Sequence, residues 1–307
     1  MLGVDRAVAR GQAAIRLVNG AKLNLILKGE NTLKGGDMCA AIEVPEGCTL
    51  TISGEGSLKA TGGEGAGIGA SSRRNGSLGT IVIDGGDIEA YGSGMAAGIG
   101  SCVEGGSVEG DIVKGGIGTI IINNGTVYAK GGHGSYSGDS KNVYGGAGIG
   151  GGANGCVDKI EINGGNVTAY GGYATNAGRH PGAAIGCGGG GAKAVEGGYK
   201  YGEIAINGGT VSAIAYNNEV YAIGIAVKPG QALPEGTLDG SISISDQAVV
   251  NLNGGDYFPK SENPGLKNYT IQGTIADVRF TESTYPVTIS VGEITWNAGT
   301  MKVSDYQ

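Results

Sequence analysis

Residues 80–100 read Thr80-Ile81-Val82-Ile83-Asp84-Gly85-Gly86-Asp87-Ile88-Glu89-Ala90-Tyr91-Gly92-Ser93-Gly94-Met95-Ala96-Ala97-Gly98-Ile99-Gly100. The run Ile81-Val82-Ile83 alternates as a strand does, and its outer members point to one side. Asp84-Gly85-Gly86 marks a turn. Ile88-Glu89-Ala90 is a second alternating run, and the small-small-Ile step Ala97-Gly98-Ile99 is a third element.

The same order recurs on both sides. The small-small-Ile step stands at Ala13-Ala14-Ile15, Ala40-Ala41-Ile42, Ala66-Gly67-Ile68, Ala147-Gly148-Ile149, Ala183-Ala184-Ile185 and Tyr221-Ala222-Ile223. Alternating runs follow at Leu50-Thr51-Ile52, Ile120-Ile121-Ile122, Ile160-Glu161-Ile162 and Ile204-Ala205-Ile206. After a turn come Leu58-Lys59-Ala60, Val127-Tyr128-Ala129, Val167-Thr168-Ala169 and Val211-Ser212-Ala213. The shortest spacings between successive step isoleucines, 27 and 26 residues, define the bare unit, and longer spacings are that unit with loops inserted. Fixed self-similarity of this kind marks a solenoid. Three short strands per unit, stacked unit on unit, give an all-β, right-handed parallel β-helix with three sheets around a narrow core, the handedness following the general preference of parallel crossovers. The turn residues Asp84, Asn123, Asn163 and Asn207 are expected to form a polar ladder from coil to coil. The β-helix is assigned to residues 1–255. Residues 256–307, where the repeat vanishes, are assigned to a β-rich C-terminal cap or appended strands covering the last coil.

Composition agrees with turns rather than collagen or disorder. The chain of 307 residues has 66 glycines, about three times the usual share of roughly 7%. It has only 7 prolines and no three-residue glycine period. The net charge of −7 and the absence of a long basic run argue against nucleic acid as a partner. Apolar stretches of a few residues argue against membrane insertion. Met1 to Arg10 lacks the apolar core of a signal peptide, and an excised segment of a longer chain is the expectation. The five cysteines, Cys39, Cys48, Cys102, Cys156 and Cys187, are odd in number and scattered, and are read as buried thiols rather than a disulfide framework or zinc site.

The signature AGIG, TIxINGG and xVxAYGG over residues 13–255 resembles the glycine-rich repeats of secreted and surface β-helix proteins of anaerobic bacteria, some grouped with carbohydrate-binding β-helix proteins. The resemblance implies an extracellular or cell-surface location in a bacterium and a polysaccharide or surface glycan as partner. It supplies no catalytic residue.

Two candidate surfaces follow from the repeat. With the step isoleucines inward, Ala14, Ala41, Gly67, Gly98, Gly148, Ala184 and Ala222 face outward as a flat floor. Loops at 70–79, 101–118, 151–158 and 187–202 on one side, and at 131–146 and 171–182 on the other, wall it as a groove. The alternative is that the loops fold over the floor and glycine serves close backbone approach. The walls offer Arg73, Arg74, His133, Tyr136, Asp139, Tyr144, Tyr173, Arg179 and His180. Tyrosines stack on sugar faces while their hydroxyls bond, and arginines grip carboxylate or sulfate bidentately. The second surface is the outward column Tyr91, Lys130, Tyr170, with Thr61 and Ile214 at its ends.

The leading reading is therefore a binding or adhesive module without an assigned catalytic residue. A polysaccharide lyase or glycoside hydrolase using the same groove is one rival. Loop carboxylates such as Glu104, Asp111 and Asp139 are present, but no pair stands out at hydrolase spacing. A structural stalk or phage fibre is the other rival. No cofactor is required. Calcium is possible, Asp84 and Asp87 being a thin ligand pair for it.

Overall fold

The computed structural model describes residues 3–72, 78–102, 118–134, 143–173, 179–189, 193–195, 198–216, 222–224, 226, 237–245, 247–253, 269–271, 274–278, 289–291 and 294–296. It is a right-handed parallel β-helix. Among the described residues its three sheets hold 7, 11 and 9 strands. We call them the small-residue sheet, the isoleucine sheet and the tyrosine sheet, in the order the chain visits them within a coil. One coil runs Ile68–Gly69, Thr80–Ile83, Asp87–Tyr91, and the next begins at Ile99–Gly100.

Register is strict. In the isoleucine sheet Ile81, Ile120 and Ile160 are in line, as are Ile83, Ile122 and Ile162. In the tyrosine sheet Ile88, Val127, Val167 and Val211 share a column, and Ala90, Ala129, Ala169 and Ala213 another. These inward columns are fully or almost fully buried and form one continuous core along the axis. The alternation explains the register: a slip of one residue would turn every core side chain into solvent. Small Ala at the second inward column admits a narrow cross-section, and the bulkier Ile and Val columns fill it.

The expected polar ladder is present. Asn123 Nδ2 donates to Asp84 Oδ1 at 2.7 Å, Asn163 Nδ2 to Asn123 Oδ1 at 2.8 Å and Asn207 Nδ2 to Asn163 Oδ1 at 2.8 Å. The Asn123 and Asn163 amides each both donate and accept, which successive asparagines at one corner permit.

The thiols depart from the reading as five buried cysteines. Cys156 and Cys187 form a disulfide. Cys39, Cys48 and Cys102 are the buried free thiols. Cys156 lies in the insertion after Ile149–Gly150, and Cys187 directly follows Ile185–Gly186 one coil further on. Stacking brings their Cα atoms to 4.3 Å, near the strand spacing of about 4.8 Å.

Toward the C-terminus the strands keep adding to the same sheets. Tyr269–Ile271 pairs in parallel with Thr237–Ile244, and Thr274–Val278 with Ala248–Asn253. Ile294–Trp296 then turns back antiparallel on Ile289–Val291.

Candidate binding surface

The floor of the expected groove is closed. Ala41, Ala184 and Ala222 are 0% exposed, and Gly67, Gly98 and Gly148 are buried as well. The small-residue strand is the tip of a tight U rather than a flat ribbon. Ala66 N–H donates to Ala70 C=O, Ala97 to Ser101, Ala147 to Gly151 and Ala183 to Cys187, so these four coils pinch shut around their isoleucines. The glycine after the isoleucine makes the U possible. Gly69, Gly100, Gly150 and Gly186 have φ of +140°, +139°, +133° and +134°, a region open essentially to glycine alone.

The flanking loops then meet over the pinch. Ser72 N–H donates to Met38 C=O at 3.1 Å, Ala153 to Met95 at 2.8 Å and Gly189 to Gly145 at 2.7 Å. Each bond joins the leading flank of one coil to the trailing flank of another. Among the described residues the two walls are bonded to each other and enclose no groove. Glycine at Gly145, Gly146, Gly152, Gly182 and Gly188 permits this, because a Cβ at any of them would strike a neighbouring main chain. Backbone buried so closely must find hydrogen-bond partners, and here it finds them in the adjacent coils.

What stands in place of a groove is an aromatic strip. Tyr91, Lys130 and Tyr170 occupy one outward column of the tyrosine sheet, as their spacing predicts, between Thr61 and Ile214. The rings, however, do not stack through Lys130. They reach diagonally to Tyr128, two residues earlier on the same face. Tyr91–Tyr128 centroids lie 5.6 Å apart and Tyr128–Tyr170 centroids 5.2 Å, tilted by 45° and 40°. Diagonal neighbours on a sheet face are within aromatic reach. Lys59 caps the strip, its ammonium 5.3 Å from the Tyr91 ring centre. Lys130 is exposed beside it. Tyr91 hydroxyl donates to Glu89 at 3.0 Å. Partial burial first, then this bond to the carboxylate and its negative charge, push the Tyr91 phenol up to about 12. Tyr128 is raised by burial and by its neighbours Tyr170 and Glu89.

A second stack runs beside the first, just past the strand ends. His133, Tyr173 and Tyr216 lie face to face at 4.7 and 4.8 Å, each pair inclined by 25°. His133 and Tyr216, its two ends, are exposed, and Tyr173 between them is half-buried. A third pair sits on the leading loops, where Val143–Tyr144 pairs in parallel with Arg179–His180. There Tyr144 stacks on His180 at 5.0 Å. Two adjacent coils thus share three ring pairs: Tyr128 with Tyr170, His133 with Tyr173, and Tyr144 with His180.

Of the residues the sequence singled out, Tyr91, His133, Tyr144, Tyr170, Tyr173 and His180 belong to these stacks, and Lys130 borders the first. Of Arg179 the structure describes the backbone strand. Arg73, Arg74, Tyr136 and Asp139 lie outside the described residues. Tyr128 and Tyr216 are the members that sequence reasoning missed. Tyr128 was accessible to it, because Val127 and Ala129 facing inward force Tyr128 outward. Among the described residues no three His, Cys, Asp or Glu side chains converge on a metal position, and no helix is long and apolar enough to cross a membrane.

The coil, the sheet order and the register define a parallel β-helix repeat protein. The family model for the beta helix repeat matches residues 50–72, 81–106 and 160–189. Its first matched segment spans one coil, from Leu50 on the isoleucine sheet to Ile68 on the small-residue sheet. No curated protein matches the chain, and no solved structure does.

Proposed function

We propose that this is a surface or secreted β-helix protein that binds polysaccharide along its aromatic strip. The observation that carries the reading is the set of three ring pairs shared by two adjacent coils, with exposed rings at the ends of the His133–Tyr173–Tyr216 stack. In the face-to-face stack the end rings His133 and Tyr216 each keep one outer face for the C–H face of a pyranose, and tyrosine hydroxyls bond its rim. Rings presented at successive coils repeat at about 4.8 Å, a ladder suited to a linear polymer. The Cys156–Cys187 disulfide supports an oxidising, extracytoplasmic setting. The strip takes over the role expected of the groove.

The test is retention of the purified protein by a panel of immobilised polysaccharides, read together with the appearance of new reducing or unsaturated chain ends. Binding without new ends, weakened in Tyr128→Ala/Tyr170→Ala and in Tyr173→Ala, supports the reading. Binding that survives both variants removes the strip from it. New chain ends reassign the protein to the polysaccharide-cleaving enzymes.

A further inference from the structure

The outward strand positions of the face that carries the strip are unevenly charged along the axis, and the charge-free ones lie in the coils that Tyr173 and Tyr216 follow. The outward positions of the tyrosine sheet can be followed coil by coil from the register. In the coil of Asp87–Tyr91 they include the carboxylates of Asp87 and Glu89. In the coil of Thr126–Lys130 the charge is Lys130 alone. In the next coils the outward positions are Asn166, Thr168 and Tyr170, then Thr210, Ser212 and Ile214, then Val249 and Asn251. These are hydroxyls, amides, a phenol and the aliphatic side chains of Ile214 and Val249, with no charge. Tyr173 and Tyr216 flank these same coils.

We infer that the ligand of this face is a neutral glycan lying along the solenoid axis, from the Tyr128 coil toward Asn251. The inference rests on the polysaccharide-binding reading and narrows it to a chemical class. The argument is one of charge and of translation. A uronic-acid or sulfated polymer presents an anion at most sugar units, and on these strand positions it would find one cation, Lys130. Extended further it would meet Asp87, where like charges repel, and Glu89, which is paired with Lys59 at 3.7 Å. A neutral polymer instead finds donors and acceptors at each coil: hydroxyls both give and take, and the amides of Asn166 and Asn251 do so through separate atoms. Equivalent groups recur at the strand spacing, so the matching ligand is a chain with its own short repeat, and a compact small molecule would use one coil only. The four coils from Thr126 to Asn251 span about 14 Å between first and last strand, three spacings of about 4.8 Å.

The experiment compares polygalacturonate with its carboxyl-reduced counterpart, which keeps the linkage and loses the charge, beside galactomannan and mixed-linkage β-glucan. Calorimetry or affinity electrophoresis is run at low and high salt on the whole chain. The expected result is retention by one or more neutral polymers, with an affinity that salt leaves within about twofold, since no counterion is released. Affinity for oligosaccharides of the bound polymer should rise with length until the strip is spanned and then level off. Tyr170→Ala should weaken binding by roughly threefold to tenfold, one aromatic contact's worth, with its thermal transition recorded to show that it is folded. The length series on the unaltered protein stands even if that variant is not. Preference for polygalacturonate over its reduced form, lost in high salt, overturns the neutral class while leaving polysaccharide binding in place. Binding to no polymer of either kind overturns both. Affinity already maximal for a monosaccharide overturns the axial placement.

Discussion

Gly100→Ala probes the feature that closes the floor. Gly100 has φ +139°, and a Cβ there would collide with the carbonyl of Gly150 in the next coil. That carbonyl accepts the Ser101 N–H at 2.9 Å. The backbone strain of an alanine in this region is about 1–3 kcal/mol. Relief of the collision parts the coils at this point and leaves a buried N–H without its acceptor, at about 1–3 kcal/mol more. The sum is about 2–6 kcal/mol, a large share of the roughly 5–15 kcal/mol that holds a domain folded. Gly47→Ala is the internal comparison. Gly47 also has a positive φ, +79°, yet nothing lies within 4 Å of its added Cβ. Its cost should be the strain alone, about 1–2 kcal/mol. Urea unfolding measures both. For Gly47→Ala the midpoint should fall with the slope unchanged. For Gly100→Ala the midpoint should fall further, and a reduced slope would report that the solenoid now unfolds in two parts. If Gly100→Ala costs no more than Gly47→Ala, close coil-to-coil approach is not the reason for glycine at this step, and the account of the closed floor fails.

Three further outcomes follow from the geometry. Replacing both Cys156 and Cys187 with serine opens a cross-link 31 residues long, and the chain-entropy relation puts the loss at about 3–4 kcal/mol; an unchanged urea midpoint under oxidising conditions would contradict a formed bridge. Tyr91 keeps its proton to about 12 in the folded chain, against about 10 unfolded. Its contribution to stability is therefore complete below pH of about 10 and is lost as pH rises toward about 12; phenolate absorbance should show a late-titrating tyrosine that titrates earlier in Glu89→Gln, yet still later than an ordinary one because its partial burial remains. Asn163→Ala removes its donations to Asn123 and Glu161 and its acceptance from Asn207. On this exposed corner that should lower stability by about 1–2 kcal/mol, and Asn163→Asp should cost more at neutral pH than at pH 3, because a carboxylate cannot donate to Asn123.

The coil was legible in the amino-acid sequence because its determinants are local. Alternation at Ile81-Val82-Ile83 and Ile88-Glu89-Ala90 sets which side chains face inward, and recurrence of the same pattern sets the register by which Tyr91, Lys130 and Tyr170 align. The Asp84–Asn123–Asn163–Asn207 ladder follows from the same recurrence. Three things were decided only in three dimensions. The loops meet over the floor because Gly145 and Gly189, or Ala153 and Met95, come to the same height on neighbouring coils, and insertion lengths do not encode that height. Cys156 and Cys187 pair because stacking carries one insertion beside the next coil's turn, a distance that sequence spacing does not reveal. The tyrosines stack through Tyr128 rather than Lys130, because the diagonal lets ring meet ring. Periodicity specifies the backbone and the facing of each side chain; the tertiary structure decides which neighbours across coils a loop or a ring meets, since that depends on reach rather than on repeat.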